Sequence, residues 1–246
     1  NNYGEIMSKA GEFFQRLNRE RRPARRDIIE KDYHLHRLLR AVSRDEYLSE
    51  NLAFKGGTCL VKAHLGYYRF SEDVDFTWND MSLWENSSPT ATRRQCSRTI
   101  DRIIEILVPM AGALGLEFGG DKVDPDQVII GAGGRMPRFY LSYLSQILNA
   151  PAKIKMEINF VDRILYPVQR ADLQSYIGSP DSEELRFLFR NMYDEYTAPI
   201  SLDCYDPREI FVEKARAAMT RAGYKVRDLM DILMLERRYG YTLPDY

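Results

Sequence analysis

A glycine turn and a pair of acids lie within residues 54–76, which read FKGGTCLVKAHLGYYRFSEDVDF. An apolar lead-in runs into the turn at 56–58, a segment of helix length follows, and the chain then reaches Asp73 and Asp75. We predict that this segment returns the acids to a position beside the glycines. The pairing constrains the fold and the chemistry of the chain more than any other feature of the sequence.

Both motifs suit the binding of a phosphate and a metal ion. Glycines let the backbone approach an anion closely, and a helix that begins there directs unpaired N–H groups at a phosphate. Thr58 can cap that helix or contact the phosphate itself. Asp73 and Asp75 fall on one face of a strand, where two carboxylates suit Mg²⁺ bound to substrate phosphates. The alternative is a tight turn followed by two solvent-facing acids.

Five segments of the sequence resemble known motifs. The glycine turn followed by Asp-x-Asp resembles the signature of the polymerase-β-like nucleotidyltransferase superfamily. More narrowly, FKGGT and RFSEDVDF resemble the AbiEii/MenT toxin group, whose members pair with an antitoxin. EKDYHLHRLL resembles the N-terminal helix of that group, and FVEKARAAM and VRDLMDILML resemble its C-terminal motifs.

The resemblance implies a role for each matching residue. Asp73 and Asp75 would bind Mg²⁺. The residues that would contact the nucleotide are Lys55, Gly56, Gly57, Thr58, Arg69 and Asp231. Lys214 would neutralise phosphate charge, and Asp228 would hold that ammonium or orient the nucleotide. The alternative for the last two is that Lys214 extends along an apolar surface and Asp228 favours a helix N-terminus.

A third acid is expected on a later strand. Apolar and polar residues alternate in KIKMEINF (153–160), which predicts a strand with a core face and with Glu157 on the other face. By the resemblance, Glu157 would complete the acid set as the base for the attacking hydroxyl or as a ligand to a second metal. Asp162, at the end of the strand, is the second candidate, and a surface glutamate is the alternative.

Helical periodicity covers residues 3–43, with a break near Pro23. Asp27 and Glu30 match the capping box of the second helix. The arginine-rich run 19–26 is either a solvated face or a contact to a phosphate backbone.

The middle of the chain alternates between helical and extended patterns. Residues 77–90 predict a loop near the site, and residues 92–110 predict an amphipathic helix that covers the sheet. Its arginines are either solvated or in contact with RNA: Arg93, Arg94, Arg98 and Arg102. Residues 128–130 and 139–141 flank a glycine loop and predict a β-hairpin.

A strong helix start stands at DPRE (206–209), which combines an N-cap, proline and an acid. We predict a helix from there to near Gly223 and a second one from about Val226. Between 164 and 200 the pattern is mixed: we expect a short helix at 181–190, while ADLQSYIGSP and TAPISLDCYDP indicate loop or edge structure.

The fold class that these elements and the resemblance imply is α/β. We expect a nucleotidyltransferase core with a mixed β-sheet and flanking helices, followed by a helical C-terminal portion. The core with its N-terminal helices would span residues 1–165. A mainly helical portion, 166–246, would complete the active-site cleft.

Composition limits the kinds of partner. The 246 residues, 44% of them hydrophobic, suffice for one large domain or two small ones. A net charge of −1 argues against a uniformly basic protein, so any RNA binding must depend on local patches. Three widely spaced cysteines favour a reducing cytoplasm over a disulfide framework or a zinc site. We expect no signal peptide and no membrane span, because no apolar run reaches about 18 residues.

The resemblance implies a toxin of a toxin–antitoxin system. Such a toxin would use Mg²⁺ to transfer nucleotide from an NTP to the 3′ end of tRNA, and this modification would block translation. A cognate antitoxin would restrain the toxin. We expect both in the cytoplasm, with a role in phage defence. The alternatives are transfer to a protein or small-molecule hydroxyl, and a non-catalytic binding module with the same fold. The arginine-rich surfaces are compatible with an RNA acceptor but do not identify one.

Overall fold

The computed structural model of the chain describes residues 8–20, 24–80, 82, 87–178, 182–220 and 225–242. Several predicted features lie outside these ranges. They are Arg21, Arg22 and Pro23 of the arginine-rich run, part of the loop at 77–90, the start of the short helix at Asp181, and the helix end near Gly223.

A mixed sheet forms the centre of the molecule. Within the described residues its strands are β1 (Leu52–Lys55), β2 (Asp73–Trp78), β3 (Val128–Gly131), β4 (Met136–Ser145), β5 (Ala150–Asn159), β6 (Gln169–Asp172) and β7 (Ser201–Cys204). Their order is β3-β4-β5-β2-β1-β7-β6. The pairs β1–β7 and β2–β5 are parallel, and the other pairs are antiparallel. The mixed sheet with flanking helices confirms the predicted fold class.

Helices lie along the whole chain. They are α1 (Lys9–Glu20), α2 (Arg26–Arg44), α3 (Glu46–Asn51), α4 (Gly56–Cys59), α5 (Pro89–Ala113), α6 (Glu183–Leu188), α7 (Arg190–Tyr196), α8 (Pro207–Thr220) and α9 (Val226–Tyr239). A π-helical segment, Leu60–Leu65, continues α4. No helix in the described ranges is both long and apolar enough to cross a membrane.

Two apolar clusters hold these elements together. The main cluster joins the inward faces of β2 and β5, including Phe76 and Met156, to buried residues of α2 and α5 such as Leu38 and Ile103. The second cluster packs α1 and α2 against α6 and α7. Each fully buried side chain of this size contributes about 1.5 to 3 kcal/mol to the stability of the fold relative to an exposed one.

The predicted helix at 92–110 does cover the sheet, because its buried residues belong to the main cluster. It begins earlier than predicted, at Pro89, with Ser88 as its N-cap.

The predicted capping box of α2 is wrong. The helix begins at Arg26, and its N-cap, Arg25, makes no capping hydrogen bond through its side chain. Glu30 is instead buried, where it accepts hydrogen bonds from the Ser145 hydroxyl (2.5 Å) and the Gln146 amide (2.7 Å). A tertiary contact explains the difference. A buried carboxylate needs hydrogen-bond donors, and the end of β4 and the turn after it supply them to Glu30.

Three of the other predicted features are confirmed. Strands β3 and β4 pair antiparallel, as the predicted hairpin requires. Asp206 is the N-cap of α8 and accepts a hydrogen bond from the Arg208 amide at 2.9 Å, and α9 begins at Val226. The interpretation of TAPISLDCYDP as loop or edge is wrong, since β7 lies between β1 and β6. The division at residue 165 stays a prediction; β6 and β7, which follow it, complete the same sheet.

Candidate active site

A cleft of about 430 Å³ lies where the sheet meets α8 and α9. Its lining contains most of the predicted site residues: Lys55, Gly56, Gly57, Arg69, Asp73, Asp75, Glu157, Lys214 and Asp228. These residues come from separate parts of the sequence. The fold therefore gathers the glycine turn, the acids and the C-terminal motifs around one space.

The three acids occupy two neighbouring strands. Asp73 and Asp75 share one face of β2, while Val74 and Phe76 on the other face are fully buried. Strand β5 runs parallel to β2, and its register sets Glu157 directly opposite Asp75. The alternation that the sequence predicted for both strands thus directs all three acids to the cleft.

The acids differ in their immediate partners. Asp73 lies 3.1 Å from the Lys155 ammonium, and Glu157 accepts a hydrogen bond from Arg138 at 2.6 Å. Asp75 makes no hydrogen bond or ion pair with another described residue through its carboxylate. Burial raises the pKa of Asp75 to about 6; Lys155 lowers it, and the nearby charges of Asp73 and Glu157 raise it further. Asp75 is therefore the acid of the cleft that most lacks a counter-charge.

The donor chemistry fits a hard divalent cation. Among the described residues, no group of three or more His, Cys, Asp or Glu side chains is arranged to hold a metal ion. Mg²⁺ is commonly bound by one or two carboxylates, with substrate phosphates and water as its other ligands. The oxygens of Asp73 and Asp75, side by side on β2, match that requirement.

The glycine turn packs closely against charged side chains. Gly56 has φ +75°, and a Cβ on it would lie 2.6 Å from Oδ2 of Asp75. A Cβ on Gly57 would lie 2.6 Å from Nη2 of Arg69. A side chain at Gly56 would therefore take an unfavourable φ and force Asp75 to move, and one at Gly57 would displace the guanidinium that Asp231 holds.

Thr58 does not reach the cleft. Its side chain is buried, and its hydroxyl donates a hydrogen bond to the backbone carbonyl of Asp73. The predicted contact to phosphate is therefore not the role that this geometry supports. Thr58 instead ties the glycine turn to the strand that carries the acid pair.

The C-terminal motifs form a network behind the cleft. Lys214 lies 2.7 Å from Asp228 and 3.0 Å from Asp231. Asp231 is fully buried and accepts from Arg69 through both oxygens, at 2.6 and 2.7 Å, and from the Tyr68 hydroxyl at 2.6 Å. Burial raises the pKa of Asp231, but Arg69, Lys214 and Tyr68 together outweigh it, so the pKa lies below the ordinary value. The network fixes Arg69 and Lys214 beside the glycine turn.

Sequence reasoning missed partners of Lys55. Its ammonium pairs with Asp162 and, at 2.6 Å, with Glu213. Burial lowers the pKa of Lys55, but Glu213, Tyr205 and Asp162 together more than offset this and hold it above the ordinary value. Glu213 stands next to Lys214 in the EK dipeptide, which was the only signal for it. Lys155, which contacts Asp73, was readable from the same alternation that identified Glu157.

A comparison with known protein families identifies the chain. The profile of the family described as nucleotidyl transferase AbiEii toxin, type IV toxin–antitoxin system, matches residues 37–245. The chain belongs to the AbiEii family. It is therefore a nucleotidyltransferase and the toxin of a toxin–antitoxin system, which implies an NTP substrate and an antitoxin partner.

Solved structures share the fold of this AbiEii protein. MenT4, a nucleotidyltransferase toxin from Mycobacterium tuberculosis, is 20% identical with a TM-score of 0.53, over 93% of this chain and 68% of MenT4. JHP933 from Helicobacter pylori is 15% identical with a TM-score of 0.49, and the match covers 86% of this chain and 67% of JHP933. A further H. pylori structure, a putative nucleotidyltransferase, is 16% identical with a TM-score of 0.50, and the match covers 88% of this chain and 71% of that one. No curated protein matches the sequence. At identities this low, MenT4 and the second H. pylori structure establish the fold alone.

Proposed function

We propose that this AbiEii toxin uses Mg²⁺ to transfer nucleotide from an NTP to the 3′ end of tRNA, with release of pyrophosphate. One observation carries the proposal. Asp73, Asp75 and Glu157 face a single cleft whose other wall is a glycine turn. Three acids that repel one another cost stability in a pure binding module, whereas a metal-dependent transferase uses them.

Two of the acids are placed to bind the metal ion, and the third is placed to act as the base. Asp73 and Asp75 would hold Mg²⁺, which supplies charge neutralisation and Lewis-acid chemistry when bound. Glu157 would accept the proton of the acceptor hydroxyl, and its hydrogen bond from Arg138 (2.6 Å) orients the carboxylate. The acceptor oxygen forms a bond to the α-phosphorus, and the bond from that phosphorus to the β-phosphate oxygen breaks, so that pyrophosphate leaves.

The cations of the cleft suit the triphosphate. The backbone of Gly56 and Gly57 permits close approach of phosphate oxygens. The Arg69 guanidinium, which Asp231 holds through two hydrogen bonds, places positive charge beside them. Lys214 would neutralise charge that develops in the transition state, while Asp228 fixes its ammonium at 2.7 Å. Lys55 lines the same cleft and would contact the triphosphate as well; like Lys214, it is held by two acids, here Asp162 and Glu213.

A polyanionic acceptor agrees with the outer rim of the cleft. Exposed cations of α8 and of the start of α9 line it: Arg216, Lys225 and Arg227. Such a rim raises the local concentration of RNA through long-range attraction. The choice of tRNA, the cytoplasmic location and the setting of phage defence rest on the family resemblance.

The test is to incubate the purified chain with total RNA, Mg²⁺ and each α-labelled NTP in turn, and to separate the products by size. We expect label on RNA of tRNA size with one NTP or a few. Removal of the label by a 3′ exonuclease would place the transfer at the 3′ end. Label on protein or on a small molecule, with none on RNA, would contradict the proposed acceptor.

A further inference from the structure

A second cavity, of about 530 Å³, lies next to the catalytic cleft. Its described lining comes from the start of α5, the β3–β4 turn and the end of β5. The members are Ser87, Pro89, Thr92, Arg93, Gly133, Arg135, Phe160 and Val161. We call it the side cavity.

The side cavity and the cleft share a wall. Arg135 lines the side cavity, and the next residue, Met136, lines the cleft. In the same manner, Phe160 lines the side cavity and the preceding residue, Asn159, lines the cleft. The two segments are joined by a hydrogen bond of 3.1 Å from the Phe160 amide to the Arg135 carbonyl. This wall belongs to β4 and β5, the strands that carry Arg138 and Glu157. The side cavity therefore borders the acid side of the cleft.

The charge of the side cavity differs from that of the cleft. Among its described lining residues the ionisable side chains are the two arginines, Arg93 and Arg135, and both are exposed. Neither makes an ion pair with a described acid; Arg135 donates only to the Ala132 carbonyl, at 3.2 Å. The cleft, in contrast, combines six acids, among them Asp73, Asp75 and Glu157, with seven cations, among them Lys155 and Lys214. In the described lining of the side cavity an anion therefore meets only positive charge, whereas on the acid side of the cleft it also meets carboxylates.

Arg93 lies in the second turn of α5 and is exposed. No acid precedes Asp101 in this helix, so α5 supplies no carboxylate within one turn of Arg93. The charge of Arg93 is therefore available to an anionic ligand in the side cavity.

We propose that the side cavity binds the unpaired 3′ end of the RNA acceptor, with backbone phosphates on Arg93 and Arg135. This inference rests on the proposed function and names the place from which the acceptor enters. The volume fits a nucleotide-sized ligand rather than a duplex, and Pro89 and Val161 offer exposed apolar surface to a base. From there the terminal hydroxyl would extend past Met136 and Asn159, which line the cleft, toward Glu157.

Direct binding tests the proposal without requiring catalysis. The probe is a short, fluorescent, single-stranded RNA, and its affinity is measured by anisotropy for the wild type and for Arg93→Gln/Arg135→Gln. We expect the variant to bind at least about tenfold more weakly and to lose about 1.4 from the slope of log K against log salt concentration, since each phosphate contact on a single strand contributes about 0.7. Arg94→Gln/Arg98→Gln removes the same charge from α5 outside the cavity and should change affinity less than about threefold.

Transfer kinetics separate this inference from the proposed function. In Arg93→Gln/Arg135→Gln the KM for RNA should rise while the KM for NTP stays at the wild-type value, and Arg93→Lys/Arg135→Lys should recover most of the affinity. Equal RNA affinity of the glutamine variant and the wild type, or equal losses in both glutamine variants, would overturn the inference. If the wild type binds RNA through these arginines yet labels none, the proposed function fails and the binding site stands.

Discussion

Asp75 of β2 and Glu157 of β5 lie directly opposite each other in parallel register. Adjacent strands are about 4.8 Å apart, so two carboxylates in this position repel each other across a partly buried cleft. Arg138 offsets the charge of Glu157, whereas Asp75 has no such partner among the described residues. The sheet therefore holds one acid in a state that a bound cation would stabilise.

Replacement of Asp75 should separate stability from activity. Its pKa of about 6 in the folded chain exceeds that of an unfolded aspartate, so the folded state loses stability as the pH rises from about 4 through 6. We expect Asp75→Asn to raise the free energy of unfolding at pH 7.5 by about 1 to 2 kcal/mol and to abolish transfer. Urea unfolding measures the first effect. Asp172→Asn, on the exposed edge strand β6, should change stability by less than about 0.5 kcal/mol. A destabilised Asp75→Asn would contradict this reasoning.

Metal affinity should follow the ionisation of the same residue. Protons compete with the cation below pH 6, where Asp75 becomes neutral. The affinity for Mg²⁺ should therefore fall by roughly tenfold for each pH unit below that value. The Mg²⁺ concentration for half-maximal transfer, measured between pH 5 and 8, gives this dependence. A constant value over the range would show that Asp75 does not bind the metal.

The sequence predicted those site residues whose placement depends on local pattern. Alternation in β2 and β5 identified the faces of Asp73, Asp75 and Glu157 without knowledge of their pairing. The cap at Asp206 followed from local chemistry as well. These features repeat every second residue or occupy one turn of helix, so a single segment contains the whole signal.

Features set by tertiary contacts could not be predicted. Glu30 fits a capping box locally but is drawn to donors beyond β4. The sequence around Lys55 predicts a contact to phosphate but gives no sign of Glu213, which α8 brings to it from a distant part of the chain. Strand β7 spans only Ser201–Cys204, too short for its alternation to distinguish a central strand from an edge.

Transfer activity should not survive a side chain at Gly56. Gly56→Ala combines an unfavourable φ of +75° with a Cβ only 2.6 Å from Oδ2 of Asp75, so Asp75 has to move. Gly115→Ala is the matched control, because its φ is +69° but its Cβ would meet nothing within 4 Å. Both variants should lose about 1 kcal/mol of stability from strain, while only Gly56→Ala should lose transfer activity. Equal kcat values for the two variants would argue against the role of this contact.

The network at Asp231 should matter for both folding and nucleotide binding. Asp231→Ala leaves Arg69 without its bidentate partner, and Lys214 keeps only Asp228. Loss of a buried ion-pair partner costs on the order of 3 kcal/mol. Asp203→Ala breaks a half-exposed pair with Arg170 and should cost less than about 1 kcal/mol. Thermal unfolding compares the two, and the KM for NTP should rise in Asp231→Ala alone. Similar losses of stability in both variants would show that Asp231 stabilises the chain no more than a surface acid.

The most direct test counts pyrophosphate released against nucleotide incorporated into RNA in the same reaction. The comparison is between the wild type and Asp73→Ala/Asp75→Ala, with circular dichroism to establish that the variant is folded. We expect equal amounts of pyrophosphate and incorporated nucleotide for the wild type, and neither product above background for the folded variant. A folded double variant that forms both products at the wild-type rate would contradict the assignment of the site.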